Sequence, residues 1–232
     1  MGELCIPDCP ICGGIGWVNV KQDGYWLSSP CPNRPKYYGS TGLERNEWEF
    51  SVDKLKQTNE VKLMRNAIGK LFTDGKGMLY ICGGFGIGKT YTLKSAVIEA
   101  VNKGYEAYYI RHNMLIDNLR QAYDDKSGQS VYRERMDDYK KIRFLAIDEY
   151  GRERMTEFSK NAMSELYDYR YEKAINGNLI TILASNFPPE MTMDEYMQSR
   201  SKDCVVACVQ WNVTGNWCLP GGGRMHCRIN SI

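Results

Sequence analysis

Residues 83–90 read Gly83-Gly84-Phe85-Gly86-Ile87-Gly88-Lys89-Thr90, a glycine and four residues followed by Gly-Lys-Thr. That spacing builds a loop that wraps a polyphosphate, because glycines let backbone N–H groups approach phosphate oxygens without a Cβ in the way. Lys89 is spaced to reach the β- and γ-phosphates, and the Thr90 hydroxyl to ligate Mg²⁺. Tyr91 follows directly and completes the candidate nucleotide-contacting run. Such a loop works only between a strand and a helix N-terminus. Both are predicted, the strand over Met78–Cys82 and the helix over Thr90–Asn102. The expected ligand is ATP with Mg²⁺.

A second constellation is Phe144-Leu145-Ala146-Ile147-Asp148-Glu149, where an apolar run ends in two carboxylates. Open α/β sheets place ligand chemistry at the carboxyl ends of their strands. Asp148 is the candidate to hold Mg²⁺ beside Thr90, and Glu149 to polarise the water that attacks the γ-phosphate. A kinase would need a substrate hydroxyl in that place, so the glutamate favours hydrolysis. Leu179–Asn186 is a further apolar run ending in polar residues. Asn186 either orients the lytic water or simply forms a turn.

Cysteine chemistry concentrates at the start of the chain. Cys9-Pro10-Ile11-Cys12-Gly13-Gly14 forms a C-x-x-C knuckle, with Cys5 before it. Cys31 lies beyond a predicted hairpin, Trp17 to Trp26, that turns near Asp23-Gly24. Four thiolates fit Zn²⁺, and in so short a segment the metal would supply folding energy that a core cannot. Cys204, Cys208, Cys218, His226 and Cys227 could on paper form a second site, but Cys204 and Cys208 fall in or beside an apolar strand.

The elements that must position these groups alternate. Apolar runs at 107–110, 142–147, 179–184 and 205–211 read as strands, and 114–123, 131–141 and 156–174 as helices. Alternation predicts a parallel sheet covered on both faces. Lys54–Phe72 carries helical periodicity ahead of Gly75-Lys76-Gly77. With 232 residues, 43% hydrophobic and 25% charged, the chain has room for one α/β domain and a small appendage. A net charge of +2 confines any nucleic-acid contact to a local basic surface. The first residues lack the apolar region of a signal peptide and no run is long enough to span a bilayer, so a cytoplasmic protein without membrane contact is expected.

These features together resemble the helicase-loader branch of the AAA+ ATPases, the family of bacterial DnaC and DnaI and the transposition helper IstB. The resemblance covers about residues 45–210. It rests on Trp48-Glu49-Phe50, Gly75-Lys76-Gly77, the phosphate loop, Asp148-Glu149-Tyr150-Gly151, Tyr169-Arg170-Tyr171, Thr181–Asn186 and Ser199-Arg200. It implies an AAA+ P-loop fold preceded by a small zinc-binding module. Asn186 then matches sensor 1, and Arg200 the arginine finger that completes a neighbouring subunit's site. Trp48 and Phe50 fall where relatives close over adenine. The implied partners are a replicative hexameric DNA helicase, single-stranded DNA and further copies of the chain in an ATP-dependent oligomer, in a bacterial or phage-infected cell. DNA would track Lys103, Arg111, Arg120, Arg133, Arg135, Lys140 and Lys141.

The chain departs from the family in places. Asn33 stands at the usual last cysteine position, so Cys5 substitutes. Trp217 is followed by Cys218 where an arginine is usual, leaving Arg224 and Arg228 as sensor 2 candidates. The expected organisation is a Cys-rich, helicase-interacting module over 1–40, a linker and helical lead-in over 41–75, and the ATPase domain over 76–232. The rivals are an IstB-like transposition ATPase, a zinc adaptor that binds nucleotide without turnover, and a P-loop kinase.

Overall fold

The computed structural model describes residues 5, 9–22, 24–32, 40–124, 129–152, 156–201 and 205–209. Its first element is an antiparallel hairpin, β1 (Trp17–Gln22) and β2 (Tyr25–Pro30), paired from Trp17↔Pro30 to Gln22↔Tyr25. Two residues connect the strands, as the Asp-Gly pair predicts. Then come α1 (Asn59–Asp74), β3 (Gly77–Gly83), α2 (Lys89–Asn102), β4 (Ala107–Arg111), α3 (His112–Asp124) and α4 (Gln129–Lys141). The chain continues through β5 (Phe144–Asp148), α5 (Glu157–Asn176), β6 (Ile180–Ser185), α6 (Pro189–Thr192), α7 (Glu195–Ser201) and β7 (Val205–Val209).

Strands β3 to β7 form one five-stranded parallel sheet in the order β4-β5-β6-β3-β7. The predicted two-sided burial follows from strand alternation, which sends successive side chains to opposite faces. Leu79, Ile81, Phe144, Ala146, Ile180 and Ile182 pack with α1 and α2. Met78, Tyr80, Leu145, Ile147 and Leu183 pack with α3, α4 and α5. Complete burial of a side chain such as Leu79 or Leu145 is worth roughly 1.5–3 kcal/mol.

The fifth strand begins two residues later than the apolar run suggests. Ile142 N–H still donates to the Asp138 carbonyl at 3.2 Å, so the helical turn persists there. Arg170 ends that turn from α5. It is fully buried, and its Nη1 donates to the carbonyls of Tyr139, Lys140 and Ile142 at 2.9, 3.1 and 2.9 Å. Nη2 donates to Ile180 O at 2.7 Å and Nε to Thr181 Oγ1 at 2.6 Å. One guanidinium thus satisfies the carbonyls that a helix C-terminus leaves unpaired and fixes where β5 and β6 begin. Burial pulls its pKa down to about 9, which leaves it charged at neutral pH.

The lead-in packs into the same core as the sheet. Leu43, Trp48, Val61, Met64, Ile68 and Leu71 are all buried there. Thr41 O accepts from Tyr109 N–H at 2.7 Å, extending hydrogen bonding beyond edge strand β4. Gly42 follows at φ +72, with the Tyr109 carbonyl where a Cβ would lie. Only glycine fits both the left-handed backbone and that close approach.

Candidate active site

The phosphate loop leaves β3 at Gly83 and enters α2 at Lys89. Gly88 sits at φ +90 as the helix N-cap, a conformation that opens the first turn's N–H groups toward the loop. The loop is outward-facing at its tip: Phe85 is 83% exposed, Gly84 and Gly86 are exposed, and Ile87 is half-buried. Thr90 is exposed on the first turn. Tyr91 stacks on Phe50 with ring centroids 4.2 Å apart, and its hydroxyl accepts from Ser51 N–H at 3.4 Å. Trp48 is buried in the core. Of Trp48 and Phe50, the latter is therefore the one at the loop's flank.

Lys89 is buried, and its ammonium is held by three oxygens. Nζ donates to Gly83 O and Gly84 O, both at 2.7 Å, and to Asn186 Oδ1 at 2.9 Å. The sheet order explains the last contact. β6 lies beside β3 with Ser185 opposite Cys82, so the residue after β6 emerges beside the loop. Burial lowers the Lys89 pKa, and the nearby Asp148 charge partly opposes that.

Asp148 is the last residue of β5 and is 2% exposed. Its Oδ2 accepts from the Tyr109 hydroxyl at 2.9 Å and its Oδ1 from Glu149 N–H at 2.8 Å. Each oxygen keeps a lone pair for a further ligand. Glu149 stands at φ +54, the left-handed region that a side chain rarely occupies. Its Oε1 accepts from Arg152 Nη1 at 2.6 Å. The turn is pinned to β6, since Tyr150 N–H donates to Ala184 O at 2.8 Å and Ser185 Oγ donates to Tyr150 O at 2.6 Å. Strained backbone held by neighbouring structure is common where a side chain must be aimed.

The expected candidates therefore gather: Lys89, Asn186, Asp148, Glu149 and the loop 83–90 share one edge of the sheet. Thr90 and Asp148 offer hydroxyl and carboxylate oxygens, the donor type that a hard cation such as Mg²⁺ takes. Arg200 lies elsewhere, on α7. Its Nη1 donates to Asp168 Oδ1 at 2.7 Å, and its guanidinium faces the rings of Tyr196 and Tyr171 at 4.2 and 5.1 Å. Arg224, Arg228, Cys204, Cys218, His226 and Cys227 lie outside the described residues, and Cys208 pairs in register with Cys82.

The basic residues considered for DNA are largely compensated. Lys103 pairs with Glu99 at 3.6 Å, Arg120 with Asp117 at 4.0 Å, Lys140 with Glu165 at 2.6 Å and Lys141 with Asp137 at 2.6 Å. Arg111, Arg133 and Arg135 are exposed. Three site neighbours escaped sequence reasoning: Tyr109, Arg152 and Asp168. Only Arg152 had a readable signal, its place three residues from Glu149.

The sulfurs of Cys5, Cys9, Cys12 and Cys31 all lie within 4.8 Å of one another and are buried. Cys9 and Cys31 Sγ are 3.7 Å apart, close to the roughly 3.8 Å edge of a tetrahedron with Zn–S bonds of about 2.3 Å. Gly16 N–H donates to Cys12 Sγ at 3.2 Å. Burial pushes the Cys9 thiol up, but Ile11 and Cys12 N–H groups outweigh it and bring its pKa down to about 6. Soft, close, buried sulfur ligands are the donor set that structural zinc takes.

The sequence profile of the family described as IstB-like ATP binding protein matches residues 42–199. An insertion-sequence ATP-binding protein, IS5376 of Geobacillus stearothermophilus, is 32% identical over 111 residues, 48% of this chain and 43% of that protein. The replicative helicase loader DnaI of Bacillus subtilis is 26% identical over 126 residues, 54% of this chain and 38% of that protein. The chain thus aligns with less than half the length of each. A crystal structure of the DnaC helicase loader superposes with a TM-score of 0.58 at 17% identity, covering 73% of this chain and all of that one. At that identity the likeness shows the fold alone, the AAA+ P-loop arrangement of a parallel sheet flanked by helices. From the profile match and the phosphate loop inside it, the chain belongs to the IstB-like ATP-binding protein family.

Proposed function

We propose that this chain is a Mg²⁺-dependent ATPase that assembles on single-stranded DNA and loads a replicative DNA helicase in a bacterial cytoplasm. The observation that carries the ATPase part is the meeting of Lys89 Nζ and Asn186 Oδ1 at 2.9 Å beside the Asp148–Glu149 turn. ATP is the substrate. Loop N–H groups and Lys89 grip its β- and γ-phosphates. Lys89 exchanges one of its three oxygen partners for a phosphate oxygen, so the ammonium is never left bare in a buried site. Thr90 and Asp148 would hold magnesium, which supplies neutralisation of phosphate charge. Glu149 accepts a proton from the attacking water while Asn186, released by Lys89, orients that water. Glu149 must first leave Arg152, a half-exposed partner whose ion pair is worth about 1 kcal/mol or less.

Arg200 of a neighbouring copy would stabilise charge on the transferring phosphoryl group. In the single chain it is engaged by Asp168 and two tyrosine rings. Hydrolysis therefore awaits assembly, which frees Arg200 to act in trans. The four-cysteine cluster holds zinc and presents the hairpin to the helicase. Tyr25, Trp26 and Leu27 are exposed on it, and such an apolar surface suits a protein partner. A transposition role is the second reading, favoured by the 32% identity to the insertion-sequence protein.

The test is size analysis of the full chain with ATP and single-stranded DNA, with and without a candidate helicase. An ATP- and DNA-dependent oligomer that co-elutes with the helicase is the expected result. Assembly with a transposase and none with helicase would replace the loader reading by the transposition one. A chain that stays monomeric in every mixture would remove both.

A further inference from the structure

We propose that Tyr109 is a positioning residue: its hydroxyl fixes the Asp148 carboxylate in the orientation that receives magnesium. The inference rests on the reading of Asp148 as the magnesium-side carboxylate, and it assigns part of that function to an edge strand and to the lead-in before α1.

Tyr109 and Asp148 lie on neighbouring parallel strands, with Tyr109 opposite Ala146 and Arg111 opposite Asp148. The tyrosine side chain reaches along the sheet to the carboxylate and donates to Oδ2 at 2.9 Å. The direction of that bond is set by the carboxylate: its oxygens can only accept, so the Tyr109 hydroxyl donates. Glu149 N–H secures the other oxygen at 2.8 Å. The carboxylate therefore cannot rotate without breaking a bond at one end.

Tyr109 is itself clamped by residues 41–47. Its N–H donates to Thr41 O at 2.7 Å, and Gly42 lies flat against its carbonyl. The Lys94 ammonium lies 4.9 Å from the centre of its ring and is ion-paired with Glu47. Those two side chains are only 9% and 15% exposed, so the pair is a fixed, desolvated support rather than a surface contact. A chain of direct contacts thus runs Glu47, Lys94, Tyr109, Asp148. Hydrogen-bond partners of metal-binding carboxylates orient the ligand oxygens, and their removal commonly weakens metal binding by about 10- to 100-fold.

The test compares wild type, Tyr109→Phe and Asp148→Asn as full chains, using a fluorescent ATP analogue titrated in excess EDTA and then with Mg²⁺. The phenylalanine keeps the ring under Lys94 and removes only the hydroxyl. The expected result is an about 10-fold rise in the Mg²⁺ needed for half-maximal tightening, with metal-free affinity unchanged. A Mg²⁺ midpoint within about two-fold of wild type, with Asp148→Asn strongly shifted, would overturn the role of Tyr109 alone. Equal weakening with and without metal would make the hydroxyl a general structural group and also overturn it. If Asp148→Asn leaves the Mg²⁺ midpoint where it was, the magnesium reading of Asp148 fails and Tyr109 falls with it.

Discussion

Replacing Glu149 with glutamine is expected to leave ATP binding intact and to lower turnover by about 100-fold or more, the usual contribution of a positioned general base. The amide keeps the size of the carboxylate, and its oxygen can still accept from Arg152, which now donates to Oε1 at 2.6 Å. What disappears is basicity at the point where the water must lose its proton. The turn itself should survive. It is held by Tyr150 N–H to Ala184 O and by Ser185 Oγ to Tyr150 O, neither of which involves the Glu149 side chain. Turnover is checked by phosphate release, and binding by titration of a fluorescent ATP analogue. Unchanged phosphate release with a properly folded variant would remove Glu149 from the chemistry.

The second large effect is expected at the other end of the chain. Zinc analysis should find one ion per chain, and its removal by a chelator should unfold the hairpin while leaving ATP binding in place. The four cysteines are the buried core of this module, with Val18 the hydrophobe packed against them. Trp17, Tyr25, Trp26 and Leu27 are exposed, so little apolar area opposes chain entropy. A structural zinc typically supplies about 10–16 kcal/mol of apparent binding energy at neutral pH, more than a hairpin of two six-residue strands could gain otherwise. Trp17 and Trp26 report the change through their fluorescence. Cys9→Ser should show the same loss without chelator. A metal-free chain with an unchanged tryptophan spectrum would exclude a structural zinc at these cysteines.

Much of the candidate site was legible because its motifs carry their own geometry. A phosphate loop needs a strand before it and a helix after it, and Gly77–Gly83 and Lys89–Asn102 provide them. Asp148-Glu149 at the end of an apolar run could be placed at a strand's carboxyl end from alternation alone. Asn186 was ambiguous, since strand order is a property of the whole sheet. Only with β6 beside β3 does it reach Lys89.

Partnerships between side chains were the least legible. Nothing in the spacing of Tyr109 announces that its hydroxyl meets Asp148, thirty-nine positions away. Arg170 read as the end of a helix, yet it is the fully buried clasp of α4, β5 and β6. Arg200 read as an arginine finger from the family likeness, and its engagement in the single chain by Asp168 and two tyrosines was not readable. Lys140 read as part of a basic surface, and it faces Glu165 of α5 at 2.6 Å. Such pairings depend on which helices the fold brings side by side, and local spacing carries that information only for neighbours three or four residues apart.

The central claim is that Lys89 and the Asp148–Glu149 pair act on the same triphosphate. Its most direct test is the equilibrium affinity of the full chain for a fluorescent ATP analogue with Mg²⁺, measured for wild type and Lys89→Ala. Loss of a charge-assisted hydrogen bond to phosphate predicts affinity about 10- to 100-fold weaker in the variant. Equal affinity in the two proteins would place the nucleotide elsewhere and contradict the account.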